Sequence, residues 1–425
     1  MLDIRLLRED PEAIRKQVRA RGGDAWTLID EILECDEKRR SSETEKQSLQ
    51  SDRNRISKQI GELKKAGEDS SGIEAEVREI GARIKEIGEE SAAAEERQRA
   101  LLLQVPNTPH PDCPVGEDES ANPTIRDWGK KPSFDFDPAD HVELGTRLGL
   151  FDFELATRVS SGGFVTFTGP GARLERGLIQ FLLDVQTREH GYEEVSPPFI
   201  INRDSMIGTG QLPKFEEDMY GLEEGAFFLA PTAEVPVTNL FRETLLAESD
   251  LPKKITAYTP CFRREAGSAG RESRGLIRMH QFDKVELVNI VHPDRSYEVL
   301  ETLTKEAETI LQKLGLHYRT IELCTGDLGF SAAKTYDIEV WAPGHGGYLE
   351  ISSCSNFLDY QARRMRLRFK DADGKNRFCH TLNGSGTALP RLYVALLETC
   401  QREDGSIRIP EVLQPYVGCE VIPAD

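Results

Sequence analysis

The sequence predicts an α+β protein in two parts, a long antiparallel helical hairpin followed by a domain of mixed strands and helices. Three observations carry this. The 425 residues exceed what one core ordinarily supports, since domains run about 100–200 residues. Composition breaks near residue 105: the stretch before it is charge-dense and poor in proline, whereas Pro106, Pro109, Pro111 and Pro114 open a region with glycines and aromatics at globular density. Before the break apolar residues recur at heptad spacing, and after it short strand-like runs alternate with helical patterns.

Taken in order, residues 1–20 predict a small helical preface, with Asp10-Pro11-Glu12 placing a cap and a proline just inside a helix start. Ile73, Val77, Ile80, Ile84 and Ile87 alternate at spacings of 4 and 3, the seam of a coiled coil, and the register runs on through Ser91, Ala94, Gln98 and Leu101. Leu28, Ile32 and Cys35, then Leu49, Ile56, Ile60 and Leu63, form a less regular first half. Ala66-Gly-Glu-Asp-Ser-Ser-Gly72 between them is a turn by composition. Helices over residues 27–65 and 72–103 are therefore expected to fold back on each other, reaching roughly 55 Å. Two readings fit such a rod. One is a dimerisation coiled coil with a solvated charged face. The other starts from Arg53, Arg55, Lys58, Lys64 and Lys65, which face only Glu62 between residues 53 and 65: a cationic tip suited to a phosphate backbone.

The net charge of −19 argues against general nucleic-acid coating, though not against a local basic surface. No run of about 18 apolar residues exists to span a membrane. The opening Met1-Leu-Asp-Ile-Arg-Leu-Leu-Arg-Glu-Asp has acids where a signal peptide has its apolar stretch. Eight scattered cysteines without a Cys-x-x-Cys pair predict neither a disulfide framework nor structural zinc, and suit a reducing cytoplasm.

Beyond the break, strands are expected at Gly163–Phe167, Ala226–Ala230, Lys284–Val288 and Gly347–Ile351, and helices at 173–190, 232–247, 294–314 and 391–400. The domains read as 1–104 for the arm, 105–118 for a linker and 119–425 for the catalytic unit. Three motifs hold candidate chemistry. Thr259-Pro-Cys-Phe-Arg263-Arg264-Glu265 and Leu276–Glu286 flank a loop rich in glycine and arginine, a long functional hairpin. Its arginines, 263, 264, 271, 274 and 278, need an anion, and a guanidinium fork matches phosphate or carboxylate oxygens. Leu382-Asn-Gly384-Ser385-Gly386 ends a strand, and Pro390-Arg391 opens a helix. Tyr348-Leu-Glu350-Ile-Ser-Ser353 offers oxygen ligands for Mg²⁺. Neither a G-x-x-x-x-G-K-[ST] loop nor a G-x-G-x-x-G helix start occurs, so arginines and metal must hold any nucleotide phosphates.

Together, Phe262-Arg263-x-Glu265 and Gly384-x-Gly386 with Arg391 resemble motifs 2 and 3 of class II aminoacyl-tRNA synthetases. Arg173-Leu-Glu-Arg-Gly-Leu through Gly191-Tyr-Glu-Glu-Val-Ser-Pro-Pro198 resembles motif 1, the dimer-interface helix and strand. The arm, Pro231-Thr232-Ala233-Glu234-Val-Pro, Phe-Arg-Arg-Glu-Ala-Gly-Ser-Ala-Gly-Arg and Glu350-Ile-Ser-Ser-Cys-Ser-Asn are similar to the bacterial type of the seryl branch, over essentially the whole chain. The class pattern has Glu before the motif 3 arginine; Pro390 stands there, a residue familiar in the seryl branch.

The resemblance implies an antiparallel-sheet class II catalytic domain preceded by the coiled-coil arm. It also implies a homodimer with tRNA bound across subunits, and ATP, L-serine and tRNA(Ser) as substrates. Whether tRNA(Sec) is a further acceptor it leaves open. By the same resemblance Arg263 clamps the α-phosphate and the serine carboxylate, Arg391 the γ-phosphate; Glu265 reads adenine and Phe282 stacks on it. Arg264, Ile351 and Ser352 complete the ATP set, Glu350 and Ser353 bind Mg²⁺, and no zinc is expected. Thr232, Ala233, Glu234, Glu286 and Ser385 surround serine, with Arg263 on its carboxylate, while Arg53, Arg55 and Lys58 meet tRNA. Plainer readings stand beside these: Arg264 and Arg278 paired with neighbouring acids, Glu286 as a strand-face residue, His280 as packing. The competing function is a paralogue that loads serine onto a carrier protein, for which a long helical arm has little use.

Overall fold

In the computed structural model, residues 1–265 and 274–424 are described, in two compact units that meet between Pro106 and Asn107. Arg271 of the motif 2 loop lies outside the described residues.

The first unit is the hairpin. Helix α1 (Leu28–Ala66) ends at Gly67, whose φ of 75° supplies the left-handed cap that a β-carbon would disfavour, and helix α2 (Ser71–Leu102) returns alongside it. The isoleucine seam falls as its spacing requires, with Ile87, Ala94 and Leu101 buried on α2 against Ile29, Ile32 and Ile56 on α1. Polar groups fill the rest of it. Gln98 Nε2 donates to the Ile32 carbonyl at 3.3 Å, and Arg97–Glu31 (2.7 Å) and Arg83–Glu45 (3.1 Å) tie the helices along their edges. The preface folds as Ile4–Glu9 and Pro11–Arg19, the Asp10 side chain capping the second by accepting from the Ala13 N–H.

The second unit is built on an eight-stranded sheet. Its strands are β1 (Thr124–Trp128), β2 (Glu193–Glu194), β3 (Lys253–Phe262), β4 (Gln281–Val291), β5 (Tyr318–Glu322), β6 (Lys334–Ala342), β7 (Gly347–Asn356) and β8 (His380–Ala388). Their order is β1-β5-β6-β7-β8-β4-β3-β2, antiparallel throughout except for the β2–β3 edge. Helices α3 (Gly169–Arg188), α4 (Ser296–Leu314) and α5 (Leu389–Cys400) pack on one face of it, where Leu178, Phe181, Leu303, Ile310 and Leu396 bury against Val285, Leu287, Ile338 and Val340. Since strand side chains alternate, Lys284, Glu286, Asp337 and Glu339 must point to the opposite face.

Some expected elements end differently. The helix expected over 232–247 covers only Glu234–Asn239; Glu243 turns the chain at a φ of 58°, and Leu245–Ala247 pairs in parallel with Arg368–Lys370. Within Gly163–Phe167 only Thr166–Phe167 is strand, because Gly163 at φ 83° sits hard against the His280 ring. From Asn107 onward the chain is bonded into the second unit: Asn107 N–H donates to the Phe330 carbonyl (3.0 Å) and His110 N–H to that of Ala333 (2.8 Å).

One acid pair sits under the motif 2 strand. Glu175 of α3 is 6% exposed, and neither carboxyl oxygen finds a donor. Its neighbour is Asp283 of β4, which accepts from the Tyr258 hydroxyl at 2.8 Å. Burial first, and then the charge of Asp283, push the Glu175 carboxyl well above its ordinary range, so the two acids share a proton held on Glu175. A folded-state pKa above the unfolded one stabilises the fold at low pH, and that contribution is lost as pH rises past the ordinary carboxyl range. Glu175→Gln keeps a donor toward Asp283 without the titration. Between pH 6 and pH 9 it should lose less melting temperature than the parent protein, by about 2–4 °C; parallel thermal-melt profiles for the two proteins would refute the shared proton.

Candidate active site

The polar face of the sheet forms the floor of a cavity of about 840 Å³. Its walls come from the segment Pro231–Glu234, the motif 2 strands and the start of α5. Here local structure explains residue type. Glu350 and Ser353 are three apart, so in a regular strand they would face opposite sides. The register of β7 against β6 shifts at this point, pairing Glu350 with Glu339 and Ser352 with Ile338, which leaves Ile351 as the extra residue. That bulge turns both Glu350 and Ser353 toward the cavity. A second shift pairs Val285 with Thr387 and Glu286 with Ser385, leaving Gly386 between them. A β-carbon on Gly386 would meet Val285 at 3.2 Å, and one on Gly384 would meet the Cys354 sulfur at 3.0 Å. The Gly-x-Gly spacing is thus fixed by close packing on both sides of Ser385.

At one end of the cavity Arg263 extends over the Phe282 ring, 5.2 Å from its centroid, and its Nε donates to the Pro231 carbonyl at 3.2 Å. Glu265 pairs with Arg278 at 3.2 Å, so Arg278 takes the plainer of its two readings. Arg391 projects from the first turn of α5; its Nε donates to the Ile277 carbonyl (3.2 Å) and its Nη1 to that of Glu350 (2.7 Å). Arg263, Glu265, Phe282, Glu350, Ile351, Ser353 and Arg391 all line the cavity. Arg264, Ala233 and Ser352 do not: the Arg264 N–H bonds the Asp218 carbonyl, Ala233 is fully buried, and the Ser352 hydroxyl donates to the Ser385 carbonyl at 2.6 Å. His280 closes the base of the motif 2 loop, its Nδ1 donating to the Arg263 carbonyl at 3.0 Å, while Phe164 stacks on its ring.

The other end is charged and lined by buried side chains. Thr232, Glu234, Glu286 and Ser385 converge there, joined by two residues the sequence reading passed over, Lys284 and Gln361. Lys284 Nζ donates to Thr232 Oγ1 at 2.7 Å and forms an ion pair with Glu286. Thr232 in turn donates to Glu286 Oε2 at 3.3 Å, and Glu286 Oε1 is buried with no partner among the described residues. Gln361 Nε2 donates to Glu234 at 2.6 Å. Burial, with the facing Glu286 charge second, pushes the Glu234 carboxyl up to about 7, against the pull of Gln361, Lys284 and Arg263. The Glu286 carboxyl is raised by burial and held down chiefly by Lys284.

Glu350 and Ser353 offer a metal ion two oxygen donors on the cavity face. Behind them lies Asp337, opposite Ser353 in the β6–β7 ladder, with a buried carboxyl oxygen that lacks a partner among the described residues. A pair of hard oxygen donors on the face of a cavity that also holds Arg263 and Arg391 fits Mg²⁺, which keeps waters and substrate phosphates in its shell. Among the described residues no cluster of three or more metal-binding side chains occurs. Arg53, Arg55 and Lys58 lie on α1 of the first unit, apart from this cavity's lining; Arg55 pairs with Asp52 at 2.8 Å.

Comparison with known proteins matches two segments of the chain. The tRNA synthetase class II core domain (G, H, P, S and T) matches residues 216–400, and the seryl-tRNA synthetase N-terminal domain matches residues 1–109. A serine-tRNA ligase of Akkermansia muciniphila is 67% identical over 425 residues, 99% of each chain. The crystal structure of seryl-tRNA synthetase from Pyrococcus horikoshii complexed with ATP superposes with a TM-score of 0.94 at 38% identity, covering all of both chains. That of the cytoplasmic serine-tRNA ligase from Naegleria fowleri in complex with AMP gives 0.90 at 30% identity, covering 100% of this chain and 99% of the other. Matched over its whole length, the chain belongs to the serine-tRNA ligase family of class II aminoacyl-tRNA synthetases.

Proposed function

We propose that the enzyme activates L-serine with ATP to seryl-adenylate and pyrophosphate, then transfers the seryl group to the 3′ end of tRNA(Ser). One observation carries this reading: a single cavity joins an arginine-rich end with an aromatic platform, suited to a nucleotide, to a carboxylate-rich end, suited to an ammonium.

In the first step a serine carboxylate oxygen attacks the α-phosphorus and the bond to the pyrophosphate oxygen breaks. A carboxylate is already a nucleophile, so no protein base is needed. The task of the site is positioning and charge neutralisation. Arg263, fixed through its Nε, aims the rest of its guanidinium between the platform and the carboxylate end. Arg391 takes the distal phosphate. Glu350 and Ser353 would hold Mg²⁺, which supplies neutralisation of phosphate charge when bound. In the second step a ribose hydroxyl of the terminal adenosine attacks the acyl carbon and AMP leaves.

Serine fits the carboxylate-rich end because Glu234 and Glu286 meet its ammonium, and Thr232 and Ser385 frame a hydroxyl. A site built to bond a hydroxyl rejects an analogue lacking it by about 10⁴–10⁵-fold, so alanine is refused without editing. The reading extends to a homodimer working in the cytoplasm, with Arg53, Arg55 and Lys58 on the arm gripping tRNA. No helix among the described residues is long and apolar enough to cross a membrane.

Three outcomes test this. Arg263→Ala should reduce serine-dependent ATP–pyrophosphate exchange by about 10²–10³-fold while thermal unfolding is unchanged, the scale of losing one preorganised charge donor; near-normal exchange would remove Arg263 from the chemistry. Glu234, half protonated near pH 7, should ionise fully when an ammonium faces it. Serine binding at pH 7 should therefore release about half a proton, read by calorimetry in buffers of different ionisation heat, and Glu234→Gln should abolish the release. Replacing Ser41–Ala92 by a short Gly-Ser turn should spare exchange, because every motif of the cavity lies in the second unit, yet collapse tRNA charging. An arm-deleted enzyme that charges tRNA normally would overturn the role given to the hairpin.

A further inference from the structure

Lys284 has no task in the chemistry above, although it lines the cavity at 6% exposure. Its ammonium donates to the Thr232 hydroxyl and to the Glu286 carboxylate, two of the three bonds it can make. That is the donor pattern of an amino acid's α-ammonium. The seat assigned above to the substrate is therefore already filled by the protein's own cation.

We propose that Lys284 is a resident stand-in for the substrate ammonium: it holds the Thr232–Glu286 seat in the free enzyme, yields it when serine binds, and moves onto the serine carboxylate beside Arg263. This rests on the reading that the carboxylate-rich end of the cavity takes serine.

Charge conservation is the argument. Glu286 is 1% exposed and Glu234 7%, and a buried carboxylate left without a counter-charge is strongly destabilising. In the empty site Lys284 meets that need. If serine's ammonium were added with Lys284 still in place, two cations would crowd Glu286 while the incoming carboxylate had Arg263 alone, one of whose donors is committed to Pro231. Exchanging the two ammonium groups keeps a cation on Glu286 throughout and adds one to the serine carboxylate. Lys284 and Glu286 stand two apart on one strand and share a face, and the flexible four-carbon stem permits the short move. Selectivity follows: an amine without a carboxylate evicts Lys284 and gives it nowhere to go, so the site admits amino acids and refuses their decarboxylated amines.

The direct test is a crystal structure of the full-length enzyme with serine and α,β-methylene-ATP, which cannot be cleaved at the reacting bond. Lys284 Nζ should have left Thr232 and lie about 3 Å from a serine carboxylate oxygen; Lys284 still on Thr232 and Glu286, with the ligand ammonium elsewhere, overturns the exchange. In solution, ethanolamine, which is serine without its carboxylate, should bind Lys284→Met at least about tenfold tighter than the parent, and serine about tenfold weaker. The ethanolamine gain should vanish when Glu286→Gln is added. A gain that persists there means the amine sits at Glu234 and Lys284 merely repels it, which also overturns the exchange. The wild-type crystal structure decides the matter even if the Met variant fails to fold. Serine affinity unchanged in Glu286→Gln would instead retire the pocket assignment, and the exchange with it.

Discussion

Strand β4 cannot bury Val285 and Leu287 beneath the helices without presenting Lys284 and Glu286 on its other face, where the cavity walls leave them almost no water. An ion pair in that position is expensive to assemble and more expensive to break, because removal of either partner leaves an uncompensated charge. The surrounding network answers this constraint. Thr232 bridges Lys284 and Glu286; the Glu234 N–H donates to Thr232 (3.2 Å); Gln361 joins Glu234 to Thr381 of β8, whose hydroxyl donates to Gln361 Oε1 at 2.8 Å. Residues spread across 150 positions of sequence are thereby held in one polar unit before any substrate arrives. Such preorganisation is what electrostatic catalysis requires, since groups already oriented pay no reorganisation when charge moves.

The two bulges translate this into reach. A flat ladder would send Ser353 into the helices and would leave the β4–β8 register one residue out beside Ser385. With Ile351 and Gly386 as extra residues, Glu350, Ser353 and Ser385 all come to the floor of one cavity. Bulges disrupt the ladder locally, and they concentrate where a side chain must be re-aimed. Their place is set by glycine on one strand and by the large cavity on the other.

Much of this was legible in the amino-acid order. The hairpin followed from isoleucines at coiled-coil spacing and a glycine-closed turn, because that pattern is local. Of the arginines that the sequence pattern grouped around the motif 2 loop, Arg263 and Arg278 line the cavity, while Arg274 pairs with Asp140 instead. What escaped was non-local. Lys284 lies beside Glu286 in an alternating strand, a pattern that reads equally as a solvated face. Gln361 and Asp337 carry no motif, and only the sheet order brings them to the site. The helix expected through residue 247 fails for a similar reason. Leu245 and Leu246 suit a helix by composition, yet a parallel partner at Arg368–Lys370 captures them as strand. Propensity yields wherever a distant segment offers the backbone a better set of bonds.

The hairpin and the catalytic unit reach stability by different routes, and the difference bears on what each can do. The sheet unit buries a continuous apolar core. The first unit buries Asp36, Ser42 and Gln98, and its two long helices are tied by exposed edge ion pairs that water screens. A 39-residue helix with so thin a seam gains reach, about 58 Å, rather than a cavity. The cavity described above is lined by residues of the second unit alone. What a rod can offer is a surface at a set distance, and its charged residues away from the seam stay in water. Division of labour between the units is therefore a consequence of how each one buries its residues.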